Sequence, residues 1–481
     1  MDVRSWVRAK SESTVAIGAA CLLLPVLYVQ QDSGTLHAIL LAYALFALAV
    51  LVTIVWNRIA RPPKQTVEMQ LRLLPILFLA LTVRLIAAHS PGFAFDLAIN
   101  KGWAQSAAQL GLARSYKEQL GGNVLPNYPP LMITLYWLTG TLYKFAISPL
   151  FDPLLADYNV VIRFPAIIAD LIACVVVAMV ARRAGVQRRW MLAAWVYALH
   201  PVVLYDTGIW GQSDGIYALL MLVTLYALVR KQWLMVGFWT ACAMMTKPQA
   251  AAMLPVLLVV LVRYLPKSIS FFGGTLLAGV SVLVPFIVGG TLDAVIAVYQ
   301  RTIGGYHNAV SIGAYNFWWI FHRTHRQSDD ALALNFIPFR SAGLLLFAAA
   351  TLLVLWRLRS SLLSPRDEGQ HVLGVMLAGA LVTSAMFIFA TEMHERYQFA
   401  YVLLALPVAV ASGAGAILYA VTCGLILLNL LGAFAFGSVD MAPFRMVPAL
   451  PQGIGVLQVL LFIFTVQMAP KLANATGSRN Y

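Results

Sequence analysis

The sequence predicts an all-α polytopic membrane protein, a bundle of about 14 transmembrane helices with a large first outer loop that carries interfacial helices. Three observations predict it. The 481 residues are 61% hydrophobic and 11% charged, a balance that no domain with a solvated, charged surface reaches. Apolar runs of roughly 17 to 25 residues recur along the chain, the length of a membrane-crossing helix; barrel strands would instead alternate over about 10 residues. The Lys and Arg residues behind the net charge of +14 gather in short loops between those runs, as orientation signals do, and this argues against a nucleic-acid partner.

In chain order, the basic stretch MDVRSWVRAKSES leads into an apolar run with no clear small-residue cleavage site, so it reads as an uncleaved first helix. Spans are expected at about 14–30, 36–56, 73–89, 160–181, 190–206, 214–229, 233–246, 249–264, 270–290, 340–357, 371–390, 398–412, 416–437 and 451–468. Cys21, Cys174, Cys242 and Cys423 fall inside apolar runs without metal-ligand spacing, and read as small core residues. The segment 131–147, LMITLYWLTGTLYKFAI, is long enough to cross, and charge decides its placement. If it crossed, Arg182, Arg183, Arg188 and Arg189 would face outside, against the positive-inside rule. As an interfacial or re-entrant helix it leaves Arg58, Arg61, Lys64, Arg72, the arginine quartet, Arg230, Lys231, Arg263, Lys267, Arg357 and Arg359 all cytoplasmic. The segment from Asp96 to Ala113 reads as a second such helix, with Trp103 and Leu110 on its apolar side.

This topology collects the unusual polar residues on the outer face: the Pro91–Tyr158 loop, the turn from Tyr205 to Asp214, the turn at Lys247, the loop from about 291 to 338, and Thr391–Tyr397. Asp96 stands where an apolar stretch meets that surface. A carboxylate there can take a proton from an acceptor hydroxyl; it can equally be a helix N-cap. YDTGIWGQSDG carries Asp206, Trp210, Gln212 and Asp214, acids, an amide and an aromatic plate that suit a sugar, although Asp214 could simply cap the next helix. Lys247 sits between two apolar stretches, a break tolerated where backbone faces protein or a wet cavity. A lipid phosphate is the favoured partner for its ammonium, with Asp214 or Glu392 as structural alternatives. In TEMHERYQFA, Arg396 can hold a phosphate through two parallel hydrogen bonds, with His394 and Glu395 beside it. GGYHNAVSIGAYNFWWIF offers His307, Asn316 and Trp318 as substrate-facing residues, or else an interfacial aromatic belt.

The runs RLIAAHSPGFAFDLAINKGWAQ, NYPPL, IRFPAIIAD, IWGQSDGIYAL, TKPQA, AYNFWWIF and MHERYQFA, in that order, resemble the bacterial integral-membrane glycosyltransferases of the GT-C superfamily, particularly the mannosyltransferase-like members. The resemblance spans roughly Arg72 to Pro407. It implies a GT-C-like bundle and a hexosyl- or pentosyltransferase using a polyprenyl-phosphate sugar. Transfer would be inverting, to a lipid-linked or envelope-glycan acceptor, on the periplasmic side of a bacterial inner membrane with both termini cytoplasmic. It further implies Asp96 as the base, Lys247, His394 and Arg396 as donor-phosphate ligands, and Tyr128 and Gln249 among the substrate-binding residues. The family often opens its acidic loop with paired acids, whereas Asp96 stands alone here. The chain then divides into 1–71 with two extra helices, a catalytic module 72–407 with its outer loop at 90–158, and C-terminal helices 408–481.

No nucleotide-binding strand, glycine turn and helix is visible, and no carboxylate cluster of the kind Mg or Mn requires. Neither cofactor nor divalent metal is expected, although Asp206 and Asp214 keep a metal open; the partners are the sugar donor, the glycan acceptor and membrane lipids. The alternatives are a transporter or flippase, which predicts inverted repeats and midplane charges, and a polysaccharide polymerase or ligase.

Overall fold

The structure, a computed structural model, describes residues 33–121, 123–152, 156–186, 189–305, 307–321, 324–333, 335–433 and 449–475. The expected first span at 14–30, Cys21 and Arg188 lie outside them. The described chain is predominantly helical, because in lipid every backbone N–H and C=O must be satisfied within its own segment. Among the described residues eight helices are long and apolar enough to cross a membrane: Leu36–Ala60, Lys64–Ala88, Asp157–Arg183, Lys267–Val288, Phe339–Leu363, Glu368–Phe389, Gly413–Gly432 and Leu450–Ala473. Four shorter apolar helices of 10–17 residues, Asp214–Val229, Trp233–Met244, Pro248–Arg263 and Phe399–Ala411, accompany them. The chain is thus a multi-pass, all-α membrane protein.

Burial ranks these helices. Glu368–Phe389 has 89% of its apolar window inside the protein, against 17% for Leu36–Ala60 and for Lys267–Val288; the first is the central post and the other two are peripheral. Two expected spans break where proline interrupts the hydrogen-bond ladder. The 190–206 run is a helix over Trp190–Ala198, a proline-led turn at Pro201–Val203 and a π-helical segment Leu204–Trp210. The 249–264 run is a 3-10 segment Pro248–Met253 followed by a helix Leu254–Arg263.

At one end of the bundle Arg182 donates to Gln65 (3.1 Å), Arg183 pairs with Glu368, and Arg263 donates to the Leu363 carbonyl (3.3 Å). The Phe164–Arg183 helix runs from there to the opposite end, where Arg163 meets Ile209. That second end carries the first large loop. Its two helices, Ala94–Leu110 and Pro130–Ala146, form where the sequence places them and pack on each other. Trp103 differs from expectation: it is buried, and its indole donates to the Val124 carbonyl (2.9 Å), so it faces protein rather than lipid.

The expected loop from 291 opens instead with a helix, Leu292–Gly304. Val295 and Val298, three residues apart, bury one side of it, while Lys117 from the first loop reaches Asp293 (2.9 Å) and the Gly290 carbonyl (2.9 Å). Its mixed composition falls below the apolar content of a span, and for that reason it reads as loop.

Within the bundle, Arg84 and Asp170, both fully buried, pair at 2.8 Å. Tyr197 donates to the second Asp170 oxygen (2.9 Å) and Arg84 to the Ala198 carbonyl (2.8 Å), so three helices share one ionic knot. Removing one member strands the other. Arg84→Met is expected to cost about 3–5 kcal/mol in denaturant unfolding of the detergent-solubilised protein, and Arg84→Met with Asp170→Asn to recover part of that loss.

Candidate active site

The site begins with a cation that has no acid partner among the described residues. Arg163, 1% exposed, donates Nη1 to the carbonyls of Ala88 (3.0 Å) and Asn159 (2.6 Å), and Nη2 to those of Ser90 (3.1 Å) and Ile209 (3.1 Å). Two glycines with positive φ, Gly92 (67°) and Gly211 (90°), close over it. A Cβ would stand 2.5 Å from Arg163 Nη2 at Gly92 and 2.9 Å from Nε at Gly211, so both conformation and space require glycine. The Phe93 N–H then reaches the Trp210 carbonyl (3.3 Å). The chain leaving one helix is thereby pinned to the Leu204–Trp210 turn.

Asp96 follows in the first turn of Ala94–Leu110. Phe93 occupies the N-cap, so Asp96 is not that helix's cap. Its Oδ2 accepts from Trp210 Nε1 (3.1 Å) and from Gln212 Nε2. Among the described residues Oδ1 has no protein partner, and the residue is half-buried. One oxygen is held and the other is open.

Behind Trp210 lies an ionic cluster drawn from three segments. Asp214 opens the helix Asp214–Val229; its Oδ1 accepts from Lys247 Nζ at 2.7 Å and its Oδ2 stands 3.6 Å from Arg396 Nε. Lys247, 3% exposed, also lies 5.3 Å from the Tyr128 ring and 5.8 Å from that of Tyr217. Of the partners weighed for this lysine, the structure supplies Asp214. Arg396 donates Nη1 to Glu395 (2.5 Å) and sits 5.7 Å over the Trp210 ring. Burial pushes the Glu395 carboxyl up, but Arg396 and His394 beside it more than offset that, so it stays below its ordinary value.

His394 extends the cluster outward. Its Nδ1 is 3.6 Å from Glu395 and its Nε2 faces His307 Nε2 at 3.3 Å. A short parallel pairing, Ser311 with Met393 and Ile312 with His394, brings the two loops together. Glu392, at φ 58°, accepts the backbone N–H groups of His307 (3.0 Å) and Asn308 (2.7 Å). Burial and the neighbouring His394 hold the His307 imidazole below its ordinary value.

Three expectations change. Asn316 and Trp318 do not face this cluster: Asn316 Nδ2 donates to the Phe387 carbonyl (2.9 Å) and Trp318 Nε1 to that of Phe389 (2.9 Å). Both are buried and cap the open end of the central helix, whose last carbonyls need donors. Trp210, 3% exposed, is no open plate for a sugar, since Phe93, Tyr205 and Arg396 surround its ring. Asp206 is fully buried and, among the described residues, neither carboxylate oxygen has a hydrogen-bond partner; its main-chain carbonyl serves instead, accepting from Gly211 and Gln212. Gln249 lies two residues beyond Lys247, partly buried. Arg163 is the residue that sequence reasoning passed over, though a lone arginine at the head of a long apolar run was visible. An apolar cavity of about 600 Å³ opens between 189–202 and 406–427 and has none of these residues in its wall.

Residues 142–289 match the profile of the dolichyl-phosphate-mannose-protein mannosyltransferases, a family of the GT-C superfamily, in line with the resemblance read from the sequence. The match takes in Arg163, Asp206, Trp210, Gln212, Asp214, Lys247 and Gln249; Asp96 and the 391–397 segment lie outside it. No curated protein matches the chain.

The cluster separates two acids by consequence. Asp214→Asn removes the carboxylate shared by Lys247 and Arg396 and is expected to cost about 3–5 kcal/mol in detergent unfolding. Asp206→Asn, which breaks no side-chain hydrogen bond, is expected to cost far less in the same measurement.

Proposed function

We propose that this chain is a glycosyltransferase that moves a sugar, with inversion, from a polyprenyl-phosphate carrier to a lipid-linked or envelope-glycan acceptor at the periplasmic face of a bacterial inner membrane. The observation that carries the reading is the convergence of Asp96, on one side of Trp210, with Lys247, Arg396, His394 and His307 on the other. The family match over 142–289 supports the donor class. The catalytic module in this reading is 72–407, with 1–71 and 408–481 flanking it.

In the reaction, Asp96 Oδ1 accepts the proton of the acceptor hydroxyl as that oxygen attacks the anomeric carbon. The bond from that carbon to the carrier phosphate breaks on the opposite face, and the electron pair leaves with the phosphate. Arg396, Lys247 and the two imidazoles stabilise the charge that develops there. Because Asp214 and Glu395 already neutralise the two buried cations, the phosphate competes with carboxylates for them, and the partly exposed histidines are its first ligands. Tyr128, its ring 5.3 Å from Lys247 Nζ, and Gln212, which donates to Asp96, lie beside the cation and the base. The scheme uses no divalent ion, and two of the acids beside the cations, Asp214 and Glu395, are engaged in ion pairs.

The test is transfer by the purified protein from a panel of radiolabelled polyprenyl-phosphate sugars to membrane extract. Asp96→Asn should remain folded and lose roughly 10²- to 10⁴-fold in rate; equal turnover in both proteins would remove Asp96 from the mechanism. Transfer should also survive EDTA, and its abolition by chelation with recovery on adding Mg or Mn would overturn the metal-free scheme. Sidedness is read separately in a cysteine-free background, where Glu118→Cys and Ser360→Cys, both exposed, should label from opposite faces of the membrane.

A further inference from the structure

Trp210 touches both halves of the site. Its indole N–H donates to Asp96 Oδ2 at 3.1 Å, and its ring lies 5.7 Å beneath the Arg396 guanidinium. The side chain is 3% exposed and is braced edge-on by Phe93 and Tyr205, each with its ring centroid 6.0 Å away. Its backbone is fixed as well, through the Phe93 N–H on its carbonyl and the Arg163 clamp on the Ile209 carbonyl beside it. An indole held on every side, with one polar atom on an acid and one face on a cation, sets the distance between them.

Resting on the glycosyl-transfer reading above, we infer that Trp210 is a positioning residue that fixes the proton-accepting carboxylate relative to the phosphate-binding guanidinium, and that it is not a sugar-stacking surface. Its two contacts act on different quantities. The N–H aims Asp96 Oδ1 at the acceptor hydroxyl, an alignment that enters the rate. The ring face holds Arg396 where the carrier phosphate arrives, an interaction that enters donor affinity. Gln212, the second donor to Asp96 Oδ2, shares only the first effect.

The experiment compares Trp210→Phe, Trp210→Leu and Gln212→Leu, reading kcat, donor KM and the affinity for a synthetic polyprenyl phosphate measured without turnover. Trp210→Phe keeps an aromatic face and loses the N–H; kcat should fall on the order of 10- to 100-fold with KM and phosphate affinity unchanged. Trp210→Leu loses both contacts, and phosphate affinity should weaken as well, by roughly 2- to 30-fold. Gln212→Leu should follow the Phe variant. Unfolding temperature is measured for all three, and the Phe variant carries the test where the Leu variant loses its fold. If Trp210→Phe weakens donor binding while leaving kcat intact, or if it equals wild type in both, the inference fails. Asp96→Asn measured alongside separates the two ideas: an inactive Asp96→Asn with a wild-type-like Trp210→Phe overturns the role of Trp210 alone, whereas an active Asp96→Asn overturns the reading of the base.

Discussion

The geometry of the site depends on one buried guanidinium bonded to backbone rather than to acid. An arginine at this depth is costly unless its donors are met, and Arg163 meets those of its two terminal nitrogens with carbonyls from three separate stretches, 88–90, 159 and 209, while its Nε has no hydrogen-bond partner among the described residues. Each charge-assisted bond of this kind contributes on the order of 1.5–3 kcal/mol, but the specificity matters more than the sum. Carbonyls at a helix end and in a π-helical turn have no partners of their own, so the cation satisfies them and fixes where those segments end. A carboxylate in place of the carbonyls would bind Arg163 as firmly and position nothing.

The second layer is electrostatic. Lys247 and Arg396 are buried, and Asp214 and Glu395 answer them one for one. Such a pair does little for stability relative to an apolar core, and its removal by halves is what destabilises. Its effect here is to hold two cations ready at low exposure without leaving either uncompensated. His394 and His307 stand further out, and Glu392 fixes their spacing by holding the 307–308 backbone. The cluster therefore runs from paired charges in the interior to two imidazoles at its rim.

The bundle was readable from the sequence because its signal is local: an apolar run of sufficient length makes a helix wherever it sits in lipid. The helix Asp214–Val229 begins and ends where the run does. Leu292–Gly304 was not readable as a helix, since its buried face is supplied by two valines and Asp293, Gln300, Arg301 and Thr302 keep its composition below that of a span. The polar residues of the site were legible as a list, and the acid partner of Lys247 as one option among three. Their roles within the cluster were not, because a role depends on direction. Asn316 and Trp318 look like substrate contacts in composition, yet their donors point at the carbonyls of residues 387 and 389. Trp210 looks like an open aromatic surface and proves to be enclosed. Arg163 gave no signal of its function, since its partners are main-chain atoms whose identity no side chain reveals.

The family match stops at residue 289, and begins after Asp96. The matched part alone contains the anchor Arg163, the indole, the amide and the Lys247–Asp214 pair, but neither the carboxylate with an open oxygen nor the histidine–arginine segment. Those arrive from the two flanks, and each docks onto the matched part through Trp210: Asp96 by its N–H, Arg396 by its ring. A site assembled this way takes its alignment from the docking face. The residues to compare among related chains are therefore the ones that hold that face, Gly92, Arg163, Trp210 and Gly211, before the acid or the cations themselves. A chain that kept Asp96 and lost the Arg163 clamp would retain the carboxylate and lose the alignment that makes it useful.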